Sequence, residues 1–280
     1  MESEHGRNNP VKEALIVMHF SDNMVLPIVL GKIPGGQSVI RDLARIPQLL
    51  IAGATGSGKS MFLHNLICSF AQNDSPEQVR FVLMDPKRVE FEYYYAKLPH
   101  LYSPIVHSEE QGVTVLKRVE AEMNRRLAAF AERGYRSIDD FNRVGEGETL
   151  PRLVVVVDEF SDFMVHANEV FEPTVSRIAV MGRSAGVHLV LATSRPDRQV
   201  FPDSIMANIP GRLAFRLSRS ADSRRLLGED GAEELLGRGD ALLKDSDGTI
   251  IRLQVPDIQD EVIKQIVDSA IACDSERIKF

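Results

Sequence analysis

The chain has 280 residues, a formal net charge of −7 and an apolar fraction of 44%, a balance typical of a globular protein and not of a disordered chain. No apolar run approaches the roughly 18 residues of a membrane span, and the opening residues lack the apolar core of a secretory signal. Two cysteines, Cys68 and Cys273, are too few for a disulfide framework or a zinc site, so we expect a reducing, cytoplasmic setting. The acidic charge argues against nucleic-acid binding over the whole surface but leaves a local basic patch open.

Apolar runs with strand propensity alternate with helical segments along the chain. The clearest helix is predicted over Glu109–Arg133, where apolar residues recur every three to four positions. Strands that are apolar without alternation are buried on both faces, as in a parallel sheet covered by helices, so the sequence predicts an α/β fold. A final helix is predicted over Gln259–Ala272. The predicted strands are Leu15–His19, Gln48–Ala52, Val79–Met84, Leu153–Val157, Val187–Ala192, Gly211–Leu217, Ala241–Lys244 and Thr249–Gln254, the last two joined by a hairpin turn.

A glycine-rich loop follows the strand that ends at Ala52. It matches the pattern G-x-x-x-x-G-K-[ST] in full and precedes an apolar-periodic helix. Glycines let the backbone N–H groups approach phosphate oxygens, and the helix offers its N-terminus to the same anion. The lysine reaches the β- and γ-phosphates, and the serine hydroxyl binds Mg²⁺. The loop therefore predicts a nucleoside triphosphate site made by Gly53, Ala54, Thr55, Gly56, Ser57, Gly58, Lys59, Ser60 and Met61.

Two acidic residues end a run of valines later in the chain. Asp158 follows the predicted strand directly, where a carboxylate can bind the Mg²⁺ of the nucleotide. Glu159 comes next and can orient or deprotonate the attacking water. An adjacent Asp-Glu pair favours an ATPase over a GTPase, and no segment of the type N/T-K-x-D is present to read guanine. Solvated acids at the end of a strand remain the alternative.

Hydroxyl side chains follow the next predicted strand. Thr193 or Ser194 could contact the γ-phosphate or the attacking water, although an ordinary loop start is the open alternative. His188, inside that strand, and His64, on the helix after the glycine loop, are predicted to be core residues and not ligands.

A block of arginines lies between Arg183 and Arg225. It contains eight arginines, no lysine and three aspartates, so it is strongly basic within an acidic chain. The planar guanidinium suits contact with phosphate or carboxylate. One arginine could act on the nucleotide of a neighbouring subunit, and others could line a channel for a polyanion. Surface ion pairs with the acids of other segments are the alternative.

Beyond the glycine loop, further segments resemble the motor domain of FtsK/SpoIIIE-type DNA translocases, over roughly Val29–Pro256. The similarity includes the acidic pair and its preceding valines. It also includes segments on either side of them, in the order of that family. These segments are 30–32, 42–47, 84–87, 98–101, 122–126, 182–193, 207–210, 222–224 and 231–243.

The resemblance implies a RecA-like P-loop fold and a homo-hexameric ring that moves double-stranded DNA with ATP and Mg²⁺. In such a ring Lys59, Asp158, Glu159 and Thr193 act in one subunit, and Arg183 matches the arginine that acts in trans. Arg195 and Arg198 fall on a loop that contacts DNA in the family. Ser194 departs from the family, which usually has glutamine there, so γ-phosphate sensing at that position is in question.

The resemblance also implies a division of the chain. Residues 1–30 are predicted to be a leader or a remnant of a preceding module, 31–257 the motor domain, and 258–280 a C-terminal helix and tail. The membrane spans, linker and winged-helix domain of full-length relatives are not found in this sequence, so we expect an excised motor or a minimal relative. Anchoring would then need a membrane-bound partner.

Two other functions stay open. A ring ATPase of the same superfamily could move proteins in secretion, and the acidic charge gives this reading some weight. A nucleotide-binding interaction module without turnover is disfavoured by the intact Lys59, Ser60, Asp158 and Glu159.

Overall fold

The computed structural model describes residues 24–144 and 147–277. Within these ranges nine strands form one mixed sheet, in the order β2-β1-β9-β8-β7-β3-β6-β5-β4. The half from β7 to β4 is parallel, and the remaining strands pair antiparallel. The strands are β1 Pro27–Lys32, β2 Ser38–Asp42, β3 Gln48–Ala52, β4 Val79–Met84, β5 Arg152–Val157, β6 Val187–Thr193, β7 Gly211–Phe215, β8 Asp240–Lys244 and β9 Ile250–Gln254.

The helices of the described residues lie on both faces of the sheet. Three of the four longest helices connect parallel strands as crossover connections, and the fourth follows the last strand. Their bounds are α1 Lys59–Asn73, α2 Glu92–Tyr95, α3 Glu109–Arg133, α4 Ile138–Val144, α5 Phe160–Ala185, α6 Asp203–Met206, α7 Ser220–Leu227 and α8 Asp260–Arg277, with a 3₁₀ turn at Ala232–Glu234. None of the helices in this part of the chain is both long enough and apolar enough to cross a bilayer.

Each face of the sheet has its own hydrophobic core. One core contains Phe62 of α1 and Ile263 of α8, packed against the sheet. The other contains Met123 of α3 and Phe163 of α5. Between them the parallel strands are buried on both sides, and this explains why β5 is an unbroken apolar run after Arg152. The α/β fold with helices on both faces, predicted from the sequence, is confirmed.

Local signals define the long helix well. Helix α3 has the predicted bounds, because Ser108 caps its start by accepting a hydrogen bond from the backbone N–H of Gln111. It ends at Gly134, whose φ of 75° is the left-handed conformation that glycine adopts at helix ends.

Other elements differ from the prediction. Helix α4 was not predicted, and the last helix extends beyond Ala272 to Arg277. The predicted strand Leu15–His19 lies outside the described residues. Strands β1 and β2 were not predicted, and the proposed boundary between residues 30 and 31 falls within β1. The division into leader, motor and tail therefore stays a prediction whose first boundary divides a strand of the sheet.

Candidate nucleotide-binding site

The candidate site forms where the carboxyl ends of three parallel strands meet. Ala52 at the end of β3 pairs with Thr193 at the end of β6, and Val157 at the end of β5 pairs with Leu191 of the same strand. The chain leaves each strand at the same edge of the sheet. The glycine loop, the acidic pair and the hydroxyl residues, which are far apart in the sequence, are therefore brought together, as expected for ligand sites in open α/β sheets.

The glycine loop wraps tightly between β3 and α1. Gly58 has a φ of 114°, and a Cβ atom at this position would lie 2.5 Å from the backbone nitrogen of Gly239. Only glycine satisfies both demands, the left-handed backbone and the close approach. Helix α1 begins at Lys59 with no side-chain cap, so its N-terminal N–H groups are available to an anion. Ser57 Oγ is buried and has no hydrogen-bond partner among the described residues.

Lys59 and Asp158 form a buried ion pair. Lys59 Nζ lies 2.5 Å from Asp158 Oδ1, and both side chains are almost inaccessible to solvent. Burial raises the pKa of Asp158, opposed by the positive charge and hydrogen bond of Lys59. The pair keeps both charges satisfied at the position where the lysine would meet phosphate oxygens.

Glu159 lies in an unusual backbone conformation beside this pair. Its φ of 56° is left-handed, which is rare for a residue with a side chain and recurs at functional sites. Its Oε1 accepts hydrogen bonds from Ser194 N at 2.9 Å, Ser161 Oγ at 2.7 Å and Thr193 Oγ1 at 3.0 Å. Its Oε2 lies 3.3 Å from Lys87 Nζ.

These donors control the ionisation of Glu159. Burial alone would raise the pKa of its carboxyl group. The hydrogen bonds from Ser194 and Ser161 and the charges of Lys59 and Lys87 outweigh burial and lower the pKa to about 2. Glu159 is therefore ionised at neutral pH.

A cavity of about 580 Å³ covers the glycine loop and the acidic pair. This volume suits a small ligand. Of the nine loop residues predicted from the sequence, eight line it and Ser57 lies beneath them. Ser194, a predicted candidate, also lines the cavity. The lining residues that were not predicted are Lys87, Val89, Glu90, Arg238, Gly239, Val255, Pro256 and Asp257.

The residues present fit a nucleotide with Mg²⁺. The loop supplies backbone donors for phosphate, and Lys59 supplies a positive charge. Ser60 and Asp158 supply hydroxyl and carboxylate oxygens, the ligand type that Mg²⁺ prefers beside substrate phosphates.

The predicted arginines lie outside this cavity. Arg183 is exposed in the last turn of α5, just before β6 starts. The seven residues of β6, at about 3.3 Å each, place it about 20 Å from the edge that carries Thr193. Arg195 and Arg198 are exposed on the loop after β6, and Arg198 pairs with Asp203 at 2.6 Å. His188 is almost completely buried and is therefore a core residue, and burial lowers its pKa to about 4.

Sequence reasoning missed the contribution of the loop after β4. Glu90 accepts a hydrogen bond from Ser60 Oγ at 2.8 Å, and Lys87 reaches Glu159. In the sequence, the segment 84–87 stands out only through the family resemblance. Apart from that resemblance, the one signal is the position of the segment directly after β4. Because β4 is parallel to β5, the carboxyl end of β4 lies at the same edge of the sheet as the acidic pair.

A glycine loop with its lysine, an acidic pair and hydroxyl residues at one edge of a parallel sheet define a P-loop nucleotide-binding protein. The model of the FtsK/SpoIIIE family matches residues 11–198, and the chain belongs to this family. It is 43% identical over 244 residues to a protein named DNA translocase FtsK from Caldanaerobacter subterraneus subsp. tengcongensis, covering 87% of this chain and 34% of the relative. A Helicobacter pylori protein of the same name is 41% identical over 248 residues, covering 87% and 29%. The chain thus spans about a third of the length of these relatives.

Solved structures agree with this assignment. The conjugation coupling protein TcpA of pCW3, a monomer form with ATPγS, has a TM-score of 0.78 and 25% identity, covering 89% of this chain and 71% of that one. The cytoplasmic domain of the type VII secretion ATPase EccC of Thermomonospora curvata has a TM-score of 0.76 and 27% identity, covering 91% and 32%.

Proposed function

We propose that this chain is the motor of an ATP-driven double-stranded DNA translocase. The observation that carries the proposal is the assembly of Lys59, Asp158, Glu159 and Thr193 at one edge of the sheet, under a glycine loop with open backbone donors. The names of these similar relatives, both DNA translocase FtsK, support DNA as the moved polymer.

Each residue of the site has a distinct role in this proposal. Lys59 leaves Asp158 to bind the phosphates, and Ser60 and Asp158 hold Mg²⁺, which offsets charge on the phosphate oxygens. Glu159 is ionised and accepts a hydrogen bond from the attacking water. A carboxylate with a pKa of about 2 is a weak base, so in this geometry it orients the water better than it removes a proton.

Contact with DNA is proposed for Arg195 and Arg198. Both are exposed, and the ion pair of Arg198 with exposed Asp203 is of a kind that contributes little stability, so phosphate can replace the aspartate. Thr193 Oγ1 lies 3.3 Å from the backbone nitrogen of Arg195 and donates to Glu159. A shift of the arginine loop on DNA would therefore reach the carboxylate through a single side chain.

The proposal includes a homo-hexameric ring with nucleotide at the subunit interfaces. Arg183 supports this arrangement, because it lies too far from the site of its own chain to touch the nucleotide there and is exposed to a neighbour. In the ring it would stabilise phosphate charge in trans. We place the motor in the cytoplasm, with a membrane-bound partner.

Transport of protein is the second candidate. The similarity to EccC, a secretion ATPase, favours it. Its identity of 27% is well below the 43% to a protein named a DNA translocase. We therefore favour DNA over protein as the proposed substrate.

Steady-state ATP hydrolysis with and without long linear double-stranded DNA tests the proposal, at two salt concentrations and two protein concentrations. DNA should stimulate turnover, and the stimulation should fall with salt as phosphate contacts are screened. Turnover that ignores DNA at high protein concentration and low salt would contradict DNA as the substrate. Absence of any turnover would contradict the ATPase itself.

A further inference from the structure

Glu90 faces the phosphate loop from a part of the chain with no assigned role. Its Oε1 accepts a hydrogen bond from Ser60 Oγ at 2.8 Å, and its side chain lines the nucleotide cavity. The backbone holds it there, because Asp85 Oδ2 accepts from the N–H groups of Glu90 at 3.0 Å and Phe91 at 2.9 Å. The contact is thus built by the turn after β4 and not by a free surface side chain.

The direction of this hydrogen bond bears on metal binding. A serine hydroxyl binds a cation through an oxygen lone pair, so its hydrogen must point away from the ion. In this site the hydrogen points to Glu90. The acceptor therefore fixes the hydroxyl rotor and leaves the oxygen lone pairs free for a cation.

Two buried polar side chains, those of His64 and Tyr95, support the Glu90 carboxylate. His64 Nε2 lies 3.4 Å from Glu90 Oε2, and His64 Nδ1 lies 2.9 Å from the hydroxyl of Tyr95. His64 and Tyr95 are almost completely buried. Supporting hydrogen bonds of this kind orient the ligands of metal sites, and their removal typically costs about 10- to 100-fold in metal affinity.

We propose that Glu90, supported by His64, is a positioning residue that orients the Ser60 hydroxyl for the divalent cation of the nucleotide. The proposal rests on the magnesium site of the proposed function. It adds to that site a residue that acts through Ser60 and need not touch the nucleotide.

The test measures binding of a fluorescent ATP analogue with and without Mg²⁺, and Mn²⁺ affinity by electron paramagnetic resonance. In Glu90→Ala the Mg²⁺-dependent part of nucleotide affinity and the Mn²⁺ affinity should fall about tenfold. Mg²⁺-free nucleotide affinity should not fall, because the substitution removes a negative charge beside the phosphates. Glu90→Gln should lose much less, because its amide oxygen still accepts from Ser60. Glu92→Gln is the matched control, because Glu92 bonds His107 outside the cavity, and it should behave as wild type.

A double-mutant comparison separates positioning from general stability. In a Ser60→Ala background, Glu90→Ala should cost no further cation affinity, since the hydroxyl that it orients is gone. If Glu90→Ala does not fold, Glu90→Asp keeps the charge but shortens the reach, and a several-fold loss is expected. Wild-type or tighter cation binding by folded Glu90→Ala overturns the inference alone. If the wild type binds the nucleotide equally well with and without Mg²⁺, the proposed magnesium site is overturned as well.

Discussion

Replacement of Glu159 by glutamine should remove the contribution of the carboxylate to hydrolysis while keeping the hydrogen bonds that the residue accepts. The three hydrogen bonds to Glu159 from Ser194, Ser161 and Thr193 all reach one oxygen, Oε1. A glutamine can place its amide oxygen there and keep all three. Its NH₂ group then faces Lys87, whose side chain is half exposed and can move into solvent.

The expected magnitudes follow from that geometry. The free energy of unfolding at neutral pH should fall by up to about 3 kcal/mol, because the fold lowers the pKa of Glu159 to about 2 and the neutral amide loses this stabilisation of the charged form. ATP hydrolysis should fall by about 100-fold or more, since the amide oxygen already accepts three hydrogen bonds and the NH₂ group cannot accept one from the attacking water. Nucleotide affinity should stay within a few-fold of wild type, because Lys59 and the glycine loop are intact.

The assay combines ATP turnover, binding of a fluorescent nucleotide and thermal melting of both proteins. Turnover of Glu159→Gln within about threefold of wild type would refute the role of the carboxylate. Loss of nucleotide binding, or a loss of stability well above about 3 kcal/mol, would refute the argument that the glutamine preserves the local hydrogen bonds.

Three further predictions concern residues outside the cavity. Arg183→Ala should lower hydrolysis about a thousandfold, and mixing it with Glu159→Gln subunits, which supply Arg183, should restore activity. Replacing Arg195 and Arg198 together by alanine should weaken DNA stimulation and reduce the slope of log affinity against log salt by about one for each phosphate that is no longer neutralised. Burial raises the pKa of Asp74 from 3.8 to about 6. Asp74→Asn stays neutral at every pH, so it should be more stable than wild type above pH 6, by up to about 3 kcal/mol. Denaturant titrations should show that this advantage is lost below about pH 4.

Each of these has a control or a contrary result. Arg219→Ala removes an exposed arginine of the same block that makes two hydrogen bonds to the buried Asp222, whereas the partner of Arg198 is exposed. This variant should leave DNA stimulation unchanged. Mixed subunits without recovered activity would count against Arg183 acting in trans. Parallel stability curves for wild type and Asp74→Asn from about pH 4 to about pH 8 would mean that Asp74 is not protonated in the fold near pH 5.

The sequence predicted those parts of the site that depend on local pattern. The glycine loop is contiguous, and Asp158 and Glu159 directly follow a run of valines, so strand order was not needed to find them. The role of Glu90 could not be predicted from the sequence, because its contact with Ser60 depends on a turn held by Asp85 and on which strands are neighbours.

Strand β1 was missed for a related reason. Its residues Pro27–Lys32 are almost all buried, but the run is short and its partners are β2 and the distant β9. A short apolar run has no period that identifies a strand, and only pairing shows what it is. The helix α4 was missed because it is brief and lies next to a glycine-rich stretch.

The turn at residues 237–239 is hydrogen-bonded both to the phosphate loop and to the residue that follows β9. Gly239 N donates to Ser57 O at 2.8 Å, and Gly239 O accepts from Val255 N at 2.8 Å. The loop at residues 53–60 is therefore closed by segments that a ribosome makes about 180 residues later. A nascent chain would have no finished phosphate site until residues 237–255 had emerged, so ATP could not stabilise earlier intermediates. The slow non-local pairing of β3 would proceed without help from the ligand.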